Sequence, residues 1–228
     1  MTREIAIAYL VISRMVEPPL ATEVSQTLVA AGLGALDYAP ADTAATAGAP
    51  ASGSSGSSGI GRRRIGTYSG VIAGTAVPVR MTVWRAGEPV TTGMGEAALN
   101  ALASGLAPED ARTLREGRLS FDLRATVPDA SAQPALDWLV RVARAVAERC
   151  DGVVMDPLAQ RCAGPRELAR IQPGDALAHV TIHNEPWGVE SRWLHTHGLQ
   201  KFGRPELELI EVPLSLVDEA VADRKSVV

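Results

Sequence analysis

Apolar residues recur along this chain with two different periods, and the changes of period divide it into elements. Leu119, Phe121 and Leu123 alternate with Ser120, Asp122 and Arg124, the two-residue period of a strand with one buried face. Val77, Val79, Met81 and Val83 alternate in the same way with Arg80, Thr82 and Trp84. With the preceding "IGTYSGVIAG" and the short polar turn between them, they predict a hairpin. Leu136, Leu139, Val140, Ala143 and Ala147 instead recur at three and four, the stripe of an amphipathic helix within "QPALDWLVRVARAVAERC". Leu20, Val24 and Leu28, stopped by Gly32, predict an earlier helix. Residues 5–12 are an unbroken apolar run, too short for a bilayer and without the basic flank of a signal segment, so 4–13 reads as a buried first strand.

Shorter signals fill the rest. "GEAALNALASG" and "APEDARTLREG" predict helices, the second with Pro108 in its first turn. "DGVVMDP" is a short strand and "GPRELARI" a short helix. "DALAHVTIHNEP", "VESRWLHTHG" and "PELELIEVP" form a strand meander, closed by a helix in "LSLVDEAVADR". The order predicts an α+β fold of two ferredoxin-like halves, antiparallel sheets covered by helices, over residues 1–117 and 118–228. Residues from about 39 to about 61, rich in Ala, Gly and Ser, have no apolar face and are expected to be a disordered insertion in the first half.

Composition narrows the class. Of 228 residues, 46% are hydrophobic but only 4% aromatic, so the core must be built mainly from Ala, Val and Leu. The formal net charge is -4, with signs mixed, and the short basic cluster Arg62, Arg63, Arg64 does not make a nucleic-acid-binding face. No stretch has the length of a membrane span. Cys150 and Cys162 are expected to be reduced thiols in a cytoplasmic protein. Walker-type loops and G-x-S-x-G elbows are missing from the sequence, and Asp156 before Pro157 reads as a turn residue.

"GVVMDP", "THGL" and "KFGRPELE" together carry a resemblance. The C-terminal part of the chain resembles bacterial domains of unknown function. In these a Gly-hydrophobic-x-x-Asp-Pro segment precedes a meander with Thr-His-Gly-Leu and Phe-Gly-x-Pro-Glu-Leu-Glu. The resemblance implies an intracellular α+β module and brings no activity with it. Read from its residues alone, "GLQKFGRP" is a shaped connection anchored by Leu199 and Phe202, with Gly198, Gly203 and Pro205 setting its turns.

All four histidines lie between positions 179 and 197. On strands, His179 and His183 share one face, and Trp193, His195 and His197 share another. Register decides the outcome. If Leu194 turns the same way as Val180 and Ile182, the four rings gather on one face; a shift by one splits them into pairs. Gathered, His179, His183, His195 and His197 are a candidate zinc site, with Glu185 and Glu190 nearby. The expected function is nevertheless a non-catalytic binding or interaction module without a cofactor. Its protein or small-molecule partner would be met at Trp193, His197 and Lys201, the lysine facing an acidic group. The alternative is a metal-binding protein or metal-dependent hydrolase built on the histidines.

Overall fold

The computed structural model describes residues 3–41 and 61–222. Its elements are β1 (Glu4–Ser13), α1 (Ala21–Ala30), β2 (Asp37–Pro40), β3 (Arg62–Val71), β4 (Pro78–Ala86), α2 (Glu96–Ala103), α3 (Pro108–Glu116), β5 (Leu119–Pro128), α4 (Ala132–Cys150), β6 (Gly152–Asp156), β7 (Arg161–Ala163), α5 (Pro165–Leu168), β8 (Thr181–Pro186), β9 (Ser191–His197), β10 (Glu208–Pro213) and α6 (Val217–Ala222). The fold is α+β, with two antiparallel sheets: seven strands in the order β2-β3-β4-β5-β1-β6-β7, and three in the order β10-β9-β8. Among the described residues no helix is long and apolar enough to cross a membrane.

The first strand is apolar throughout its second half because both its faces are covered there. Val11 belongs to the main core with Leu123, Leu136 and Leu139, beneath α4. Its neighbour Ile12 belongs to a second cluster with Leu114 of α3 and Val153, against which Leu99 and Leu102 of α2 pack. Val153 and Val154 on β6 repeat the division. A strand buried on both sides has no polar alternation to show.

The expected boundary between the halves falls inside the large sheet. The division near Gly117 does not separate two sheets, because β1 pairs on one side with β5 and on the other with β6. Within the large sheet the order β4-β5-β1-β6, antiparallel throughout, with α1 after β1 and α4 between β5 and β6, is the split-βαβ order of a ferredoxin-like unit, widened by β3 and β2 at one edge and by β7 at the other. The sheets change at residues 164–180 instead, after β7. The insertion expected over about 39–61 falls largely outside the described residues. Its first residues do not belong to it: Ala39 and Pro40 lie in β2, opposite Thr67 and Gly66. That strand is held partly by the Tyr38 ring against Tyr68, centroids 4.7 Å apart.

The small sheet is fastened to the large one through the turn after β9. Leu199 is buried there and Phe202 packs against the main core. The Lys201 side chain is fully buried, its ammonium bonded to the Asp156 carboxylate at the end of β6 and, at 2.9 Å, to the His179 carbonyl. Lys201 is therefore not a surface cation able to meet an outside partner. Asp156 does begin a turn, accepting the Ala159 N–H at 3.1 Å, but the same carboxylate is the lysine's partner.

Candidate metal centre

Strand pairing brings three of the four histidines together. β8 and β9 pair with His183 opposite His195 and Thr181 opposite His197. Leu194 falls opposite Asn184, so it shares a face with Ile182. The other face carries His183, His195, His197, Trp193 and Glu185. Directly opposed side chains on a strand pair stand about 4.5–5.5 Å apart at Cβ, close enough for two imidazoles to share a ligand. The His183 and His195 rings stack at 5.2 Å, and His197 stands edge-on to both, at 4.6 Å and 5.0 Å.

Each ring offers one nitrogen within 4.8 Å of the other two. A tetrahedral zinc shell with bonds of about 2.0–2.1 Å holds its nitrogens about 3.3 Å apart, so closure needs ring movements of only about 1 Å. His183 Nε2 and His195 Nδ1 are buried without a hydrogen-bond partner among the described residues. A buried polar atom left this way costs about 1–3 kcal/mol. Burial, and then the neighbouring histidines, hold His183 and His197 below the ordinary histidine pKa. Both effects favour the neutral imidazole, the form that binds metal.

Surrounding groups fix the rings. The Gln160 side-chain amide lies 3.3 Å from His197 Nδ1. Glu185 Oε1 is 4.0 Å from His195 Nε2 and half exposed. Trp193 lies against His195 at 4.2 Å, with Trp187 edge-on behind it at 6.5 Å. Immediately after His197 the chain turns at Gly198, φ 111°, where a Cβ would stand 2.3 Å from the His179 carbonyl oxygen. Only glycine fits that close approach. The turn is then held by Glu206, whose carboxylate accepts the Thr196 hydroxyl at 2.9 Å and the N–H groups of Gly198, Leu199 and Gln200 at 2.9–3.3 Å.

His179 stands apart from the other three. It lies in a 3-10 turn before β8 and is only 1% exposed. Its Nδ1 is 3.3 Å from the Tyr9 hydroxyl on the large sheet, and its Nε2 is 4.0 Å from Asp137. Strand alternation could not be extended to it because the strand starts two residues later. Burial, with the charges of Lys201 and Arg161 nearby, pushes its pKa down to about 3. Of the residues expected at an interaction edge, His197 sits in the imidazole cluster, Trp193 is half-buried against it, and Lys201 is inside the core.

Gln160 was missed by sequence reading, because it lies in the β6–β7 turn and nothing local ties it to a strand far along the chain. Cys150 and Cys162 are unbridged and buried, and burial pushes both thiols up to about 12, so neither is a thiolate ligand or nucleophile. No protein-family model, curated protein or solved structure matches the chain.

Proposed function

We propose that the small sheet is a divalent-metal site in which His183, His195 and His197 bind zinc or a similar first-row ion. The observation that carries this reading is the convergence of three imidazoles, two with buried ring nitrogens that have no hydrogen-bond partner among the described residues. Three imidazoles satisfy a borderline metal and leave a fourth position for water or a carboxylate, for which Glu185 is in reach of a side-chain rotation. The proposal replaces an interaction edge at Trp193, His197 and Lys201. Trp193 has a closer use, shielding His195 and lowering the local dielectric around the ions' ligands. Two unbridged buried cysteines support a reducing, cytoplasmic setting.

The test uses tag-free protein stripped with a chelator and titrated with Zn²⁺ against a chromophoric competitor. One equivalent should bind. Co²⁺ should give the intense visible bands of a tetrahedral site. His183→Ala/His195→Ala should lose that equivalent while its circular dichroism matches wild type. One equivalent retained by the double variant, or no binding by wild type at micromolar metal, would overturn the reading.

A further inference from the structure

The opposite face of the same small sheet is an open apolar groove of about 1130 Å³, running between the sheet and the C-terminal elements. Ile182 and Leu194 form its floor, and Leu207, Leu209, Ile210 and Leu216 its sides. The side residues are 38%, 52%, 58% and 48% exposed. Apolar surface clustered at this density marks a contact site on a soluble domain. The charged residues lining the groove are Glu208, Glu211 and Glu219. Among the described residues none of them is in an ion pair and no lysine or arginine lines the groove.

Several occupants would suit an apolar groove, and the observations separate them. A small apolar ligand needs most of its surface enclosed, about 70–90%, which half-exposed walls do not provide. A fatty carboxylate or an anionic membrane would meet three unpaired carboxylates. A second copy of this chain would bring three more glutamates against the same three, a like-charge cost. An added strand would pair with the free edge of β10, but that strand's register shifts between Leu209 and Val212. Glu211 there sits at φ 59°, outside strand geometry. A bulge of this kind interrupts the ladder that strand addition requires. A helix needs no ladder. Two turns of helix, a cylinder about 10 Å across and about 11 Å long, take up about 860 Å³, within the groove's volume.

We infer that this groove receives an amphipathic helix of a partner protein, apolar on the buried face and flanked by Lys or Arg that pair with Glu208, Glu211 and Glu219. Leu-type side chains at i, i+3, i+4 and i+7 occupy the floor. The rim pairs choose the partner's charge and speed its approach more than they add affinity.

The probe is a fluorescein-labelled Lys/Leu peptide of about four helical turns, compared with a Glu/Leu peptide of the same pattern. Fluorescence anisotropy with full-length protein should show one lysine peptide bound per chain, at least about tenfold tighter than the glutamate peptide. Raising salt towards 1 M, where the Debye length falls to about 3 Å, should shrink that advantage. Glu208→Lys/Glu211→Lys/Glu219→Lys should reverse the preference. Leu209→Asp/Ile210→Asp should abolish binding of both peptides with the thermal midpoint kept, because both side chains are more than half exposed. Equal binding of the two peptides, or a preference unmoved by charge reversal, overturns the inference. So does a wild-type dimer that Leu209→Asp/Ile210→Asp converts to monomer, since a second copy would then be the occupant. Zinc titration of Leu209→Asp/Ile210→Asp, whose first position pairs with Leu194 on the face away from the histidines, should still show one equivalent bound, so failure of this inference and failure of the metal reading are distinguishable.

Discussion

The Lys201 ammonium ends on the Asp156 carboxylate with almost no solvent access to the pair: side-chain exposure is 0% and 5%. The pair joins the turn after β9 to the end of β6, so it is the polar half of the joint between the sheets; Leu199 and Phe202 are the apolar half. Burial lowers the lysine pKa and the carboxylate raises it again, with burial the larger influence. Removing one partner of such a pair strands the other. Lys201→Met is expected to cost about 3–5 kcal/mol in urea unfolding. Lys201→Met/Asp156→Asn should cost less than the single change, because the amide still accepts from Ala159 and carries no charge. A loss below about 0.5 kcal/mol for Lys201→Met, the range of ordinary surface changes, would mean the ammonium is not buried.

The periodic elements were legible in the sequence because one covered face leaves a one-sided pattern. Leu123 lies between Tyr9 and Met81 on neighbouring strands, and Leu139 lies on the buried stripe of α4; both are fully buried. Leu123→Ala and Leu139→Ala should each cost about 2–5 kcal/mol in urea unfolding, and the m-value should stay unchanged. Little change at either position would contradict the burial.

What the sequence withheld is mostly a matter of distance along the chain. β1 finds β5 and β6 as neighbours, pairings that no local period encodes and that carry the large sheet across the expected division near Gly117. β2 and β7 are too short to show a period. Alternation did identify the face shared by His195, His197 and Trp193, and the alternative that brought Leu194 beside Ile182 is the observed one. It could not reveal that β8 starts at Thr181, which sends His179 inward, nor that a lysine in a polar turn has a buried aspartate waiting for it.

His179 makes stability depend on pH. Its pKa is about 3 in the folded chain and about 6.5 when unfolded. Between those values the unfolded state holds a proton that the folded state refuses, so stability is full above about pH 6.5 and falls as the pH drops towards 3. The slope from this one group is about 1.4 kcal/mol per pH unit. Carboxylates titrate over part of the same window, so the comparison is with His179→Gln, which cannot charge. From pH 7 to about pH 5 the wild type should lose about 2 kcal/mol more than the variant in urea unfolding. Parallel losses would mean that His179 charges freely and is not held between Tyr9 and Asp137.

Gln160 gives the most direct check on how the histidines face a metal. A ligating imidazole usually donates its other ring N–H to a carbonyl, which fixes both tautomer and orientation. At His197 the group near Nδ1 is the Gln160 amide, 3.3 Å away. Its two ends are alike in shape, so with the carbonyl turned towards the ring it accepts from Nδ1–H and leaves the Nε2 lone pair for the ion. Gln160 itself sits at φ 49°, uncommon for a residue with a side chain. The β6–β7 turn therefore holds an unfavourable backbone where the amide meets the ring. Gln160→Ala should weaken Zn²⁺ binding by about 10–100-fold, since outer partners of metal-bound histidines contribute on that scale. Gln160→Glu, with a stronger acceptor in the same position, should restore much of it. Unfolding by urea should separate a lost partner from a disturbed turn: Gln160→Ala is expected to stay within about 0.5 kcal/mol of wild type. Unchanged or tighter zinc binding by Gln160→Ala would mean that Nδ1 is itself the ligand and that the amide competes with the metal for it.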